Sequence, residues 1–325
     1  MNDTGDRAFW LHPPHDSRIE PIAVGAPDAG ELRVRSRYSA VSRGTETLVY
    51  AGGVPASEYE RMRAPFQAGA LPGPVRHGYA NVGVVEAGPD EWLGREVFCL
   101  YSHQTRYVVP VDAVVALPAD VPPERAILAA NMETAINALW DTAPGIGERI
   151  TVIGAGVVGA LVAGLAASLP GADVELVDID DRKARLGDAL GVRFRSPAAA
   201  AGERDRVIHA SGSEAGLAQA LTLAGFEATV TEMSWYGTQA PRVPLGGAFH
   251  SRRLTLRASQ VGGVAPGQRP RWSHHRRLAL AVSLLADARF DALIDAEAPF
   301  ERLPEVMARL ADPQDATLCQ RIRYD

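Results

Sequence analysis

The chain is poor in cysteine. Cys99 and Cys319 are the 2 among 325 residues, too few for a disulfide framework or for a four-cysteine zinc lobe. It also has no basic excess: 33 Lys and Arg stand against 39 Asp and Glu, a formal net charge of −6. A nucleic-acid binder needs a basic face, so that class is excluded. The short runs Arg252-Arg253 and His274-His275-Arg276-Arg277 read as solvated element ends. No apolar run reaches the roughly 18 residues that suggest a membrane span; the one from Val157 to Leu169 suits a buried helix. The start, Met1-Asn-Asp-Thr-Gly-Asp6, offers neither the basic stretch nor the apolar core of a signal peptide. A cytoplasmic protein with no membrane partner is therefore expected. Its 46% hydrophobic and 22% charged residues suit a globular enzyme long enough for two domains.

The most informative segment is Ile150-Thr-Val-Ile-Gly154-Ala-Gly156-Val157-Val158-Gly159, followed by Asp173-Val-Glu-Leu-Val-Asp178. It predicts strand, tight turn, helix and second strand closed by an acid. In a dinucleotide fold each glycine has its own task. Gly154 makes the turn, Gly156 lets backbone approach a pyrophosphate, and Gly159 lets the helix press on the sheet. The pyrophosphate then rests on the free N–H groups of the helix opening at Val157 and Val158. Asp178 is placed to accept hydrogen bonds from the adenosine ribose. A 2′-phosphate set against that carboxylate would bring like charges together, so NAD is expected over NADP. Arg182 and Lys183 follow closely and are read as facing the ribose edge or solvent.

Residues before about 125 read as β-rich. Leu32-Arg-Val-Arg-Ser-Arg-Tyr38 alternates apolar and polar, and similar patterns recur at Asn81, Glu96 and Arg106, separated by Gly and Pro turns. An apolar helical pattern runs from Pro122 to Trp140. Beyond it strands and helices alternate at 150–154, 157–168, 173–178, 181–190, 205–210, 214–224 and 227–233, which implies βαβ units and a parallel sheet. A strand near Arg253–Ser259, a helix near His275–Ala286 and a last strand at Leu318–Tyr324 complete the reading. The last strand is expected to return to the first domain.

A β-rich front, a dinucleotide block and a returning tail resemble the medium-chain dehydrogenase/reductase superfamily over nearly the whole chain. The resemblance rests on Ser42-Arg-Gly-Thr-Glu46, Gly78-Tyr-Ala-Asn-Val-Gly-Val-Val-Glu86, Glu133-Thr-Ala-Ile-Asn-Ala-Leu139, the glycine turn with Asp178, and Val207-Ile-His-Ala-Ser-Gly212. It implies an α/β protein with a GroES-like β-rich catalytic domain at 1–125 and 265–325. A Rossmann doubly wound parallel-sheet domain is implied at 126–264. Ser211, Gly212 and Val261 join the glycine turn, Asp178 and Lys183 as implied cofactor-binding residues. Homodimers are the superfamily expectation. Within it the chain is similar to bacteriochlorophyllide dehydrogenase-like proteins, which share the Gly-Thr-Glu turn and a Gly-Tyr where zinc enzymes carry Gly-His-Glu.

The zinc alcohol dehydrogenases of this superfamily hold their metal with a Cys before Gly-Thr/Ser-Asp, a His in Gly-His-Glu and an acid or Cys on the later helix. Here those positions fall at Arg43, Tyr79 with Ala80, and Glu133. Arginine, tyrosine and alanine cannot supply a catalytic zinc site, so no metal is expected. Proton chemistry then falls to side chains. Tyr79 is a candidate phenol donor, its pKa lowered by a nearby Arg43, and Thr45 is a candidate relay hydroxyl or a turn cap. Arg43 either binds substrate or pairs with Glu133 or Glu46, and His103 and Glu133 are further acid–base candidates. The expected function is zinc-independent, NAD-linked interconversion of a small secondary alcohol and a carbonyl. The alternatives are an NADPH-dependent enone or quinone reductase and a non-catalytic dinucleotide-binding protein.

Overall fold

The computed structural model describes residues 5–324, and the chain forms two compact units. The first comprises residues through Ala130, Leu278–Ala286 and the segment from Ile294 onward; the second comprises Asn131–Arg277 and Asp287–Leu293.

In the first unit the strand Glu31–Val41 alternates half-buried with buried positions from Glu31 to Ser36, the mark of a sheet with one face on a core, and is buried throughout at Ser39–Val41. It pairs antiparallel with Asn81–Ala87, with Arg106–Pro110 and with the C-terminal strand Gln320–Arg323. That terminal strand does return to the front of the chain. Leu32, Val34, Val85, Val97, Tyr107 and Val109 form the core beneath. A second sheet is built on the hairpin Arg7–His12/Asp16–Pro21.

In the second unit six strands lie in the order Arg193–Arg195, Asp173–Val177, Arg149–Ile153, Arg204–His209, Ala224–Glu232, Thr255–Ala258, and all pair in parallel. In chain order this is 3-2-1-4-5-6, the doubly wound order, whose crevice lies where the first strand meets the fourth. The strand Arg149–Ile153 is buried at every residue but its first, as a strand covered on both faces must be. Seven of the ten residues of the helix Val157–Ala166 are buried, which explains its near-continuous Val/Ala/Gly/Leu sequence.

Three sequence expectations need correction. The pattern from Pro122 to Trp140 is two helices, Pro123–Ala126 and Ala129–Thr142. Leu128 N–H bonds back three residues to Arg125 O, a tight turn that ends the first piece. The span 181–190 opens as a 3₁₀ turn at Asp181–Lys183, because the Asp180 side chain accepts from Arg182 N–H, before the helix Ala184–Leu190. The division falls after Ala130 and after Arg277, not after 125 and 264. Residues 287–293 rejoin the second unit because Arg185 and Arg289 exchange backbone contacts: Arg185 Nη1 donates to Ala292 O (2.7 Å) and Arg289 Nη1 to Leu190 O (3.0 Å).

Candidate active site

The dinucleotide turn has the required shape. Gly154 sits at φ +105°, and a Cβ there would come within 2.7 Å of Ser211 N. A Cβ at Gly159 would lie 1.9 Å from Gly154 O, so only glycine lets the helix seat against the strand. A Cβ at Gly156 would meet nothing within 4 Å, which leaves an open cradle at the helix start. Gly156 is the N-cap and supplies no side-chain cap, so the N–H groups around Val157 and Val158 are unclaimed by one. These features fit a pyrophosphate.

Asp178, just beyond the second strand, accepts from Ala155 N–H (2.7 Å), Asp180 N–H (2.9 Å) and Lys183 Nζ (3.0 Å). Lys183 is thus not turned to bulk solvent, whereas Arg182 is exposed and paired with Asp180. The carboxylate keeps lone pairs for ribose hydroxyls, but a cation now stands beside it.

At the carboxyl end of the fourth strand, His209 is register partner of Glu232 on the fifth. Their side chains meet at 2.7 Å through Nδ1, and Nε2 lies 2.6 Å from Ser211 Oγ. Gly212, at φ +66°, donates its N–H to Ser234 Oγ (3.0 Å). Sequence reading missed Glu232 altogether, since strand pairing alone brings it to His209.

Glu133 is not a free acid of a cleft. Its carboxylate takes Arg277 Nε at 2.9 Å, and Arg277 also donates to Asn137 Oδ1 (2.6 Å) and to the carbonyl of Val261 (2.5 Å). Both charges are buried. Burial raises the Glu133 pKa, with the Arg277 charge opposing it. Val261 therefore spends its carbonyl on the fold.

In the first unit a chain of polar side chains surrounds Tyr79. Tyr79 Oη donates to Ser42 Oγ at 2.6 Å, and Ser42 N–H donates to Glu46 Oε1 at 2.7 Å. Glu46 Oε2 lies 2.9 Å from His103 Nε2, His103 Nδ1 lies 2.7 Å from Ser39 Oγ, and Ser39 Oγ lies 3.0 Å from Tyr324 Oη. Gly78, at φ +122°, admits the histidine, because a Cβ there would come 2.9 Å from its ring. Burial, then the Glu46 carboxylate, push the Tyr79 phenol up to about 12, and hydrogen bonds with Ser42 and Thr45 offset only part of this. Thr45 stands in the helix Arg43–Tyr50 on the Tyr79 side of this network. Sequence reading missed Ser39, Ser42 and Tyr324; nothing marks them until the helix start, the strand and the chain end converge.

Two expectations fail here. Arg43 does not face Tyr79, Glu46 or a substrate. Its guanidinium holds the carbonyls of Leu310, Asp312 and Thr317 at 3.0–3.2 Å, because those chain-end groups need donors. The Tyr79 phenol is accordingly raised, not lowered. His103 is not an open acid–base group either: it is 1% exposed and both ring nitrogens are engaged.

The zinc-enzyme positions thus carry a guanidinium bound to backbone, a hydrogen-bonded phenol, a methyl group at Ala80 and an ion-paired Glu133. Among the described residues no three His, Cys, Asp or Glu side chains are grouped to hold a metal ion. This donor set does not fit a catalytic zinc, which needs about three N, S or O ligands and an open position.

A GroES-like β-rich unit joined to a Rossmann unit defines the fold of the medium-chain alcohol dehydrogenases. The solved structures agree. The chain superposes on 2R,3R-butanediol dehydrogenase from Bacillus subtilis with a TM-score of 0.76, 15% identity, and 99% and 100% of the two chains covered. A putative zinc-binding dehydrogenase from Sinorhizobium meliloti, solved bound to NADP, gives 0.77 at 17% identity over 98% and 99%. The alcohol dehydrogenase TADH from Thermus sp. ATN1 gives 0.75 at 20% identity over 98% and 100%. In sequence, the chain is 29% identical over 217 residues to an uncharacterized zinc-type alcohol dehydrogenase-like protein of Haemophilus influenzae. That match takes in 62% of this chain and 59% of the relative, so the chain spans somewhat more than half of it. No family model matches the chain.

Proposed function

We propose that the protein is an NAD(H)-dependent oxidoreductase that interconverts a secondary alcohol and a carbonyl without zinc. We place it on the zinc-lacking branch that resembles bacteriochlorophyllide dehydrogenase-like proteins. The observation that carries the cofactor reading is the glycine turn, where Gly154 and Gly159 admit no side chain and Gly156 opens onto free space. Gly154, Gly156, Val157, Val158 and Gly159 would hold the pyrophosphate, and Asp178 the ribose. Ser211 and Gly212 stand beside that turn. The bound nicotinamide supplies or accepts hydride.

What remains for the chain is the proton. Tyr79 stays a neutral phenol through the physiological range, because its pKa lies near 12. A neutral phenol can give its one proton to a developing alkoxide when its O–H turns from Ser42 Oγ, whose hydroxyl then donates to the phenol oxygen. Ser42 fixes the hydroxyl in position, and Glu46 with His103 fixes Ser42. The substrate is a small molecule. The exposed edge strand Thr255–Ala258 supports a homodimer, since an unpaired edge is a place for a second copy.

The Asp178–Lys183 pair also supports a second reading, an NADPH-linked enone or quinone reductase. Lys183 sits where a 2′-phosphate would need a cation. Calorimetric titration separates the two: tighter NADH binding is expected, and tighter NADPH binding would favour the second. Asp178→Ala should free Lys183 and shift preference toward NADPH. A screen of alcohols and ketones, followed through the absorbance of reduced nicotinamide, should find activity that survives chelator. Activity lost with stoichiometric zinc would overturn the zinc-free reading.

A further inference from the structure

One stretch of this acidic chain carries charge of a single sign. From Met233 to Ala286 there is no Asp or Glu, while eight arginines and three histidines occur. Four of those arginines are neutralised by carboxylates from elsewhere: Arg242 by Glu214 (3.0 Å), Arg252 by Glu203 (2.8 Å), Arg253 by Glu227 (2.9 Å) and Arg277 by Glu133 (2.9 Å). Arg257 donates instead to the carbonyl of Asp141 (2.6 Å). The three that remain, Arg269, Arg271 and Arg276, fall within one stretch of eight residues. All three are exposed, and among the described residues none of them forms an ion pair.

Two of these side chains are held in place although nothing balances their charge. Arg276 lies over the Trp272 ring, its guanidinium carbon 4.0 Å from the centroid, and its Nη1 donates to Arg271 O (2.6 Å). Trp140 braces Trp272 in turn, with ring centroids 4.8 Å apart. Arg269 Nε donates to Val264 O (2.8 Å). A guanidinium has five N–H donors in a planar fork, so each keeps most of them for an outside acceptor. Local preference is also opposed here. The helix His274–Leu284 has no acid in its first turn, and Arg276 stands at that end, where the dipole disfavours a cation. Ser273 Oγ accepts from Arg276 N–H (3.1 Å), so the turn has its cap without any anion. Local rules broken without compensation mark functional surface. The segment leaves the carboxyl end of the last parallel strand, Thr255–Ala258, and His274 Nε2 donates back to Gly262 O (3.1 Å). The cluster thus hangs on the edge where open α/β sheets take ligands.

We infer that Arg269, Arg271 and Arg276, with Trp272 as their platform, form a binding site for the carboxylate or phosphate group of a small molecule, separate from the glycine turn. Three unbalanced charges in one short segment suit a single oxyanion group. A nucleic acid needs a longer basic track, and here the flanking arginines are already neutralised.

The test is calorimetric titration with citrate and with inorganic phosphate, each with and without NADH, at constant ionic strength so that general screening cancels. At least one anion should bind once per chain with a Kd of about 1 mM or tighter, and which one binds tells carboxylate from phosphate. Arg271→Gln and Arg276→Gln should each weaken it about tenfold. Trp272→Leu removes no charge and should weaken it about threefold, the worth of the lost cation–π contact. Arg302→Gln, at an exposed arginine of the other unit, should leave it unchanged. No saturation by either anion up to about 10 mM overturns the inference. Weakening in the arginine variants that Trp272→Leu does not share is diffuse attraction, not a built site, and overturns it too. If the arginine variants lose NADH affinity together with the anion, these residues belong to the dinucleotide site and the separate site falls. The titrations without NADH decide the matter even if the dinucleotide reading fails.

Discussion

At the scale of single residues, Tyr79 and His77 carry opposite consequences of the same burial. For Tyr79, burial and the Glu46 carboxylate keep the phenol protonated. Tyr79→Phe should therefore lower turnover by about 10²-fold, the usual scale for a general acid, with NADH affinity unchanged. Because the phenol titrates near 12 and not near 10, steady-state rates should show no basic limb from this residue around pH 10. A limb there that vanishes in Tyr79→Phe would contradict the assignment. His77, 2% exposed and with no hydrogen-bond partner on Nδ1, has its pKa pushed below 6.5 by burial. The unfolded chain then binds a proton that the folded chain refuses. Stability from this group is complete above pH 6.5 and is lost progressively as pH falls from there through the folded value. Denaturant unfolding of His77→Gln should show a smaller loss of stability on acidification than the unaltered protein.

At the scale of elements, the helix Ala129–Thr142 is tied to Arg277 by Glu133 and Asn137, and Arg277 in turn holds the loop carbonyls of Val261 and Gly263. Glu133→Ala leaves a buried guanidinium without its counter-charge, which costs about 3–5 kcal/mol. Chemical denaturation should show that loss, and Glu133→Gln, which keeps an acceptor, should lose less. This pair also marks the limit of what a sequence reveals. The strands and helices of the second unit are legible because their apolar periodicity and glycine turn are local signals. The hairpin Arg7–His12/Asp16–Pro21 and the helix Leu303–Leu310 escape, since a Pro-Pro turn joins the hairpin strands and the helix carries Pro304 in its first turn. The same division governs the site. Gly154, Gly156, Gly159 and Asp178 stand close along the chain and declare themselves. Glu133 with Arg277, Glu46 with His103, and His209 with Glu232 are pairs 23 to 144 residues apart, created only by folding. Arg43 shows the resulting error: its position suggests a cavity, while its partners lie 267 to 274 residues away at the chain end.

At the scale of the whole molecule, a ligand of one unit stabilises that unit by mass action. NADH at about 100 times its Kd should add about 2.7 kcal/mol to unfolding of the dinucleotide unit. Thermal scans should show a transition that rises with NADH concentration, and an unmoved transition at saturation would contradict binding to the folded state. No described helix is long and apolar enough to cross a membrane. The dinucleotide unit is also discontinuous. Its main stretch, Asn131–Arg277, is completed by Asp287–Leu293, from which Phe290 packs onto Gly164. No single cut can therefore release it whole, and a gene fragment ending at Arg277 would leave Gly164 and Leu190 facing a void. This unit cannot be transplanted as a cassette between proteins: an exchange must carry two separate stretches of sequence at once.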